Sequence, residues 1–160
     1  MEIRFAGKQD IPRLIALLGQ IGRLHAQGRP DIFRLDAQKY DAPALEDLLS
    51  DPARPVFVAV EQGALVGYCF CALKNVQSHP TLADRKELYI DDLCVDENYR
   101  NQGIGAALYR HAAAYATKIR CNAVTLNVWA FNKNALAFYQ KMGMEIRNMT
   151  MEYPLEDELC

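Results

Sequence analysis

Val95-Asp96-Glu97-Asn98-Tyr99-Arg100-Asn101-Gln102-Gly103-Ile104-Gly105-Ala106 is a strand end, a polar turn and a helix start. Small residues at 103, 105 and 106 let backbone N–H groups approach an anion closely. The first turn of a helix leaves four such donors unpaired and adds its positive dipole end. Arg100 adds a fixed charge at the rim, and a pyrophosphate would fit there. Gly-x-Gly by itself is equally consistent with a helix start whose glycines serve tight packing. Two other phosphate-binding readings are disfavoured. A Gly-x-Gly-x-x-Gly dinucleotide turn needs glycine where Leu108 stands, and no Gly-Lys-Ser/Thr triplet occurs.

Outward from this turn the chain alternates strand and helix patterns. Upstream, Leu88–Val95 reads as a strand, and 75–85 reads as a polar loop. Val56–Val60 and Leu65–Leu73 form a hairpin about Gln62-Gly63. Residues 2–5 read as a short strand. Asp10 offers an N-cap to a helix carrying Ile11, Leu14, Ile15, Leu18 and Ile21, which Gly28-Arg29-Pro30-Asp31 breaks. A second helix starts near Ala42-Pro43 and ends at Asp51-Pro52. Downstream, a helix runs from Gly103 to about Ile119, a strand over Val124–Val128, and a helix over Asn132–Met142 closed by Gly143. Glu145–Tyr153 reads as a last strand. The order βααβββαβαβ is a mixed α/β (α+β) fold, antiparallel in its hairpin and parallel in its later strand–helix–strand units.

The 160 residues suit one domain, 1–160, with no repeat, low-complexity tract or Gly/Ser/Pro linker. Hydrophobic residues make up 51% and charged residues 24%, with net charge -2; a nucleic-acid binder would carry a basic excess instead. Residues 1–5 lack a basic segment leading into an apolar run, so no secretory signal is expected. No stretch is apolar enough for a membrane span. Cys69, Cys71, Cys94, Cys121 and Cys160 are odd in number and form no Cys-x-x-Cys pair. Reduced thiols in the cytoplasm, with no metal site, are the expectation.

The turn Arg100-x-x-Gly103-x-Gly105-Ala106 resembles the pyrophosphate-binding motif of the GCN5-related N-acetyltransferases, the GNAT superfamily. A second motif supports this: Leu126-Asn127-Val128-Trp129-Ala130-Phe131-Asn132 runs into Ala135-x-x-Phe138-Tyr139-x-Lys141-x-Gly143-Met144. The resemblance implies the GNAT fold, acetyl-coenzyme A as donor, and direct transfer without an acyl-enzyme. It implies cofactor contacts from Leu93, Cys94, Val95, Arg100, Asn101, Gln102, Gly103, Ile104, Gly105, Ala106, Asn132, Tyr139 and Lys141. The pantetheine arm would lie between two splayed strands, pairing with the backbone of residues 93–95. The N–H of Leu93 would polarise the thioester carbonyl. Cys94 is read as a buried, inert thiol, because His25, His79 and His111 form no recognisable pair with it.

Two groups would move protons. Tyr139 matches the family's general-acid tyrosine, which protonates the departing thiolate. Asp91 stands where polyamine acetyltransferases of the superfamily carry a glutamate. It is one methylene shorter, which favours a water relay to the amine. On a regular strand Asp91 and Asp92 point to opposite faces, although a bulge would change this count. Glu87 is a second candidate base.

The acceptor pocket would draw on His25, Asp31 and Phe33, with Glu87, Asp91, Asp92 and Trp129. The acidic residues favour a small cationic amine. Acetylation of a protein or peptide amine, and a non-catalytic acetyl-coenzyme A-binding regulatory module, are the alternatives. Met149, Met151, Tyr153 and Leu155 could form the shared edge of a homodimer, and a monomer covering this edge fits equally.

Overall fold

Apolar alternation and one tight turn build the centre of the sheet. β2 (Val56–Glu61) and β3 (Ala64–Val76) are joined by Gln62-Gly63, with φ of 49° and 81°. Two successive positive φ values match the right-handed twist of a hairpin. β1 (Glu2–Phe5) pairs antiparallel with β2, and β4 (Arg85–Val95) antiparallel with β3. β5 (Ala123–Leu126) pairs parallel with β4, completing the order β1-β2-β3-β4-β5. The parallel pair needs a crossover, which α3 (Ile104–Lys118) supplies. The mixed α/β reading therefore holds.

Successive strand residues face opposite sides, so the sheet has two cores. One side packs Val58, Tyr68 and Cys94 against Leu14 and Leu17 of α1 (Ile11–Gly28) and Leu45 of α2 (Ala42–Leu49). The other packs Phe57, Cys69 and Ile90 against Leu108 and Ala112 of α3. Each fully buried leucine contributes about 1.5–3 kcal/mol. α3 packs directly over Gly67 of β3. A Cβ there would lie 2.9 Å from the Cys94 carbonyl oxygen and 3.1 Å from Leu108 Cδ1.

The structure, a computed structural model, describes residues 1–155, and the chain divides into two compact units, Met1–Asn127 and Val128–Cys160. The second unit holds α4 (Lys133–Lys141). Asn132 Oδ1 caps it by accepting from Ala135 N at 3.1 Å. Gly143, at φ 91°, ends it. The bonds Gly143 N to Gln140 O and Met144 N to Tyr139 O, each 3.0 Å, form a Schellman motif.

Two expectations change. Asp10 precedes α1, but its side chain does not cap it. A single 3-10 turn over Lys8–Asp10 already gives Asp10 a helical backbone. Its carboxylate turns back to accept from Gly7 N at 2.8 Å and from both Arg4 Nη atoms at 2.7 and 3.0 Å. The last strand is also absent. Residues 145–155 form no strand, so the described order is βααβββαβα. Alternation makes a segment suited to a strand, but only a partner edge supplies the hydrogen bonds, and no strand pairs with these residues. Met149, Met151, Tyr153 and Leu155 are among the most exposed apolar residues described. Cys160 lies outside the described residues. Among the described residues, no helix is long and apolar enough to cross a membrane.

Candidate active site

β4 and β5 part company inside the sheet. Their parallel register runs from Glu87–Ala123 to Ile90–Leu126 and stops. Beyond that point β4 continues through Val95, held on its other side by β3, with Leu93 opposite Cys69 and Val95 opposite Gly67. Among the described residues, no strand of the sheet pairs with β4 on that side from Asp91 to Val95. An extended ligand can add itself to such an edge.

The edge leads into the polar turn. Asp96 is buried, and its carboxylate accepts from Asn98 N at 2.8 Å and from Arg13 of α1. Those bonds hold its carboxyl below the usual carboxylate range, the Asn98 N–H first. Arg100 folds over the turn, with Nε 3.4 Å from the Val95 carbonyl oxygen. Asn101 (φ 61°) and Gly103 (φ 80°) take left-handed backbone to aim the chain into α3. The hydrogen-bond ladder of α3 begins with Ala107 N to Gly103 O, 3.0 Å, so the N–H groups of residues 103–106 lie ahead of it. A Cβ at Gly103 would meet nothing within 4 Å, so the chain is uncrowded at that residue. Donors that precede a helix ladder are the kind that bind an anion.

A bulge decides where the carboxylates go. Phe70 pairs with Asp92 and Cys71 with Ile90, leaving Asp91 as the extra residue. Alternation is broken there, and Asp91 and Asp92 both reach the side covered by α1 and α2. Asp91 Oδ2 accepts from Lys39 Nζ at 2.8 Å, on the loop between those helices. Asp92 Oδ2 accepts from the Tyr68 hydroxyl at 3.0 Å, and Tyr68 belongs to the core of that side. Loss of solvent pushes the Asp92 carboxyl up to about 6, against the opposing pull of Lys39 and of the Tyr68 bond. For Lys39 burial is the largest single influence and lowers the pKa. The Asp91 bond and the Asp92 charge outweigh it, so its ammonium is held above its ordinary value.

The other candidate residues divide by location. His25 stacks on Phe33 at 5.0 Å between centroids, and its pKa is lowered by burial and then by Lys39. Lys39 thus lies in electrostatic reach of His25, Asp91 and Asp92, a grouping no sequence spacing announced. Asp31 is exposed and paired with Arg29 at 2.6 Å. Glu87 is buried, paired with Arg85 and accepting from Thr125 Oγ1 at 3.4 Å. It lies six residues from Leu93, about 20 Å along an extended strand. Cys94 is buried, and burial followed by the Asp92 charge pushes its thiol up to about 12. It is no nucleophile at neutral pH. In the second unit, Trp129 stacks toward Phe131 at 6.2 Å and Tyr139 packs edge-on to Phe138 at 5.0 Å. Both Asn132 and Tyr139 are half-buried, while Lys141 is exposed.

Sequence reasoning missed Lys39, Tyr40 and Tyr68. Tyr40 receives a hydrogen bond from Arg54 Nη2 at 3.0 Å and stacks on Phe70 at 6.1 Å, next to Lys39. Adjacent Lys39-Tyr40 ahead of a helix N-cap was the one signal available, and it is common in surface loops.

Comparison with known proteins gives the family. The family model described as Acetyltransferase (GNAT) family matches residues 24–144. The L-ornithine N5-acetyltransferase NATA1 of Arabidopsis thaliana is 28% identical over 123 residues, 76% of this chain and 51% of that protein. This chain therefore spans about half the length of that relative. The peptidyl-lysine N-acetyltransferase YjaB of Salmonella typhimurium is 32% identical over 120 residues, 69% of this chain and 70% of that protein. Among solved structures, a mutant of the BH1408 protein from Bacillus halodurans superposes with a TM-score of 0.94 at 33% identity, covering 98% of this chain and all of that one.

Proposed function

The chain belongs to the acetyltransferase (GNAT) family, and from that premise we propose that it moves an acetyl group from acetyl-coenzyme A directly to a primary amine of a small cationic molecule. The observation that carries the donor half is the parting of β4 from β5 after Ile90–Leu126, together with a helix start whose N–H groups at 103–106 precede the hydrogen-bond ladder of α3. In this reading the N–H groups of 103–106, with Arg100, Asn101 and Gln102, hold the pyrophosphate. The backbone of Leu93, Cys94 and Val95 takes the pantetheine arm as an added strand. Family resemblance adds Asn132, Tyr139 and Lys141 of the second unit to the cofactor-binding set.

Each chemical role falls to a group of this chain. An alkylammonium with a pKa of about 10.4 must lose a proton before it can attack. Asp91, directly or through water, receives that proton. The Leu93 N–H stabilises negative charge on the carbonyl oxygen as the nitrogen–carbon bond forms. The carbon–sulfur bond then breaks as Tyr139 gives its proton to the leaving thiolate, and the second proton shed by the new amide nitrogen restores the phenol through water. Asp92, with His25 and Phe33, shapes the acceptor side, and the carboxylates supply its preference for cations. The acetylated amine and free coenzyme A leave. The setting is the cytoplasm, where thiols such as Cys69, Cys71 and Cys94 stay reduced.

Likeness to a peptidyl-lysine N-acetyltransferase favours a second reading, in which the amine is a lysine side chain of a protein. One experiment addresses both. The purified chain is given acetyl-coenzyme A with a panel of diamines, aminoglycosides, amino acids and lysine peptides, and free thiol is measured. Release with small amines supports the first reading, and release with peptides alone supports the second. Coenzyme A binding without release from any amine would leave a non-catalytic binding module.

A further inference from the structure

We infer that Lys39 occupies the place of the acceptor's ammonium, and that an acceptor binds by displacing it from Asp91 and Asp92. The inference rests on the acceptor side of the proposed function and adds how that side recognises a primary alkylammonium.

The contact is not local. Lys39 comes from the loop between α1 and α2, 52 residues ahead of Asp91, and its Nζ lies 2.8 Å from Asp91 Oδ2. The neighbouring Asp92 adds a second negative charge, and the Tyr40 ring centroid is 5.5 Å from the same nitrogen. Two carboxylates and an aromatic ring form a receptor for an ammonium group. Two of its walls are held by neighbours. Tyr68 holds Asp92 at 3.0 Å, while Arg54 and Phe70 hold Tyr40. The occupant is not fixed: the Lys39 side chain is 43% exposed and can swing into water. Its head group is itself a primary alkylammonium, so what the site accepts is displayed by what fills it. If Asp91 takes the acceptor's proton, Lys39 must leave before the acceptor can approach.

The size of the competition follows from exposure. A partly exposed ion pair of this kind holds its partners by a factor of about 1.5 to 5. Removing the ammonium should tighten acceptor binding by that factor. An arginine grips a carboxylate with a planar fork and should weaken acceptor binding.

The experiment measures the Kd of 1,4-diaminobutane by calorimetry on the full chain, without acetyl-coenzyme A, for the native protein, Lys39→Met and Lys39→Arg. The KM for the same amine is measured in the presence of the donor. The expected order of both constants is Met below Lys below Arg, with Met about 1.5–5-fold below Lys, and the effect falls on KM more than on kcat. Weaker binding in Lys39→Met, equal constants in all three proteins, or no diamine binding by any of them would overturn the inference. The expected Kd order without acetyl transfer would uphold the inference and sink the proposed function. Transfer without that order would do the reverse.

Discussion

Asp92→Asn should stabilise this protein at neutral pH and do almost nothing in acid. Loss of solvent raises the pKa of the Asp92 carboxyl from 3.8 in the unfolded chain to about 6 in the fold. The sign follows from proton binding: between these two values the folded state binds more protons, so stability falls as pH rises through the window. With a shift of about 2.2 units, the ionised carboxylate costs about 3 kcal/mol at pH 7 and about 0.5 kcal/mol at pH 4. Asparagine has nearly the same shape, keeps an acceptor for the Tyr68 hydroxyl and never ionises. Urea unfolding of both proteins, at half-unit steps from about pH 4 to 7, gives the stability difference directly. The variant's advantage should grow by about 2.5 kcal/mol across that range. Asp10 and Asp96, whose carboxyls sit below their ordinary values, titrate in both proteins and cancel in the difference. An advantage that stays constant from acid to neutrality would refute the reasoning, and so would a loss of stability at neutral pH.

Other outcomes follow from single contacts. Asp10→Asn should destabilise the fold near neutrality through its bond to Arg4. The loss should fade in urea unfolding as pH drops through the lowered pKa of Asp10, because the native protein gives up the same stability there. Gly67→Ala should lower stability by about 1–3 kcal/mol in urea, since its Cβ would press on a backbone oxygen of β4 and on Leu108 of α3. The same variant should weaken coenzyme A binding, because α3 carries the open donors. Tyr139→Phe should reduce kcat for thiol release by about 100-fold or more. A change below about fivefold would remove Tyr139 as the acid.

Local signals were legible because each lies within one element. Gln62-Gly63 announced its hairpin through the positive φ that the turn needs. Gly143 announced the end of α4, and Asn132 its start. The turn at 100–106 was readable because glycine spacing, a preceding strand and a following helix all fall in one short stretch. The final strand failed for a related reason. The alternation of Met149, Met151 and Tyr153 describes the segment, but a strand belongs to two segments at once. Asp10 failed because a 3-10 turn ahead of α1 changed which backbone its carboxylate could reach.

The sequence by itself determined the family, the mixed sheet and the glycine-spaced turn into α3. These are set by residues close in the chain, whose spacing fixes helix, strand and turn through local backbone energetics. Tertiary structure alone decided where each carboxylate lies and what it pairs with. The register of β3 against β4 makes Asp91 the bulged residue, turns it to the same side as Asp92 and brings Lys39 onto it across 52 residues. Desolvation, which no spacing encodes, then separates an Asp92 that titrates near neutrality from a partly exposed Asp91 held in an ion pair. Charge placement depends on which surfaces meet, and that is settled only when the sheet and its helices pack.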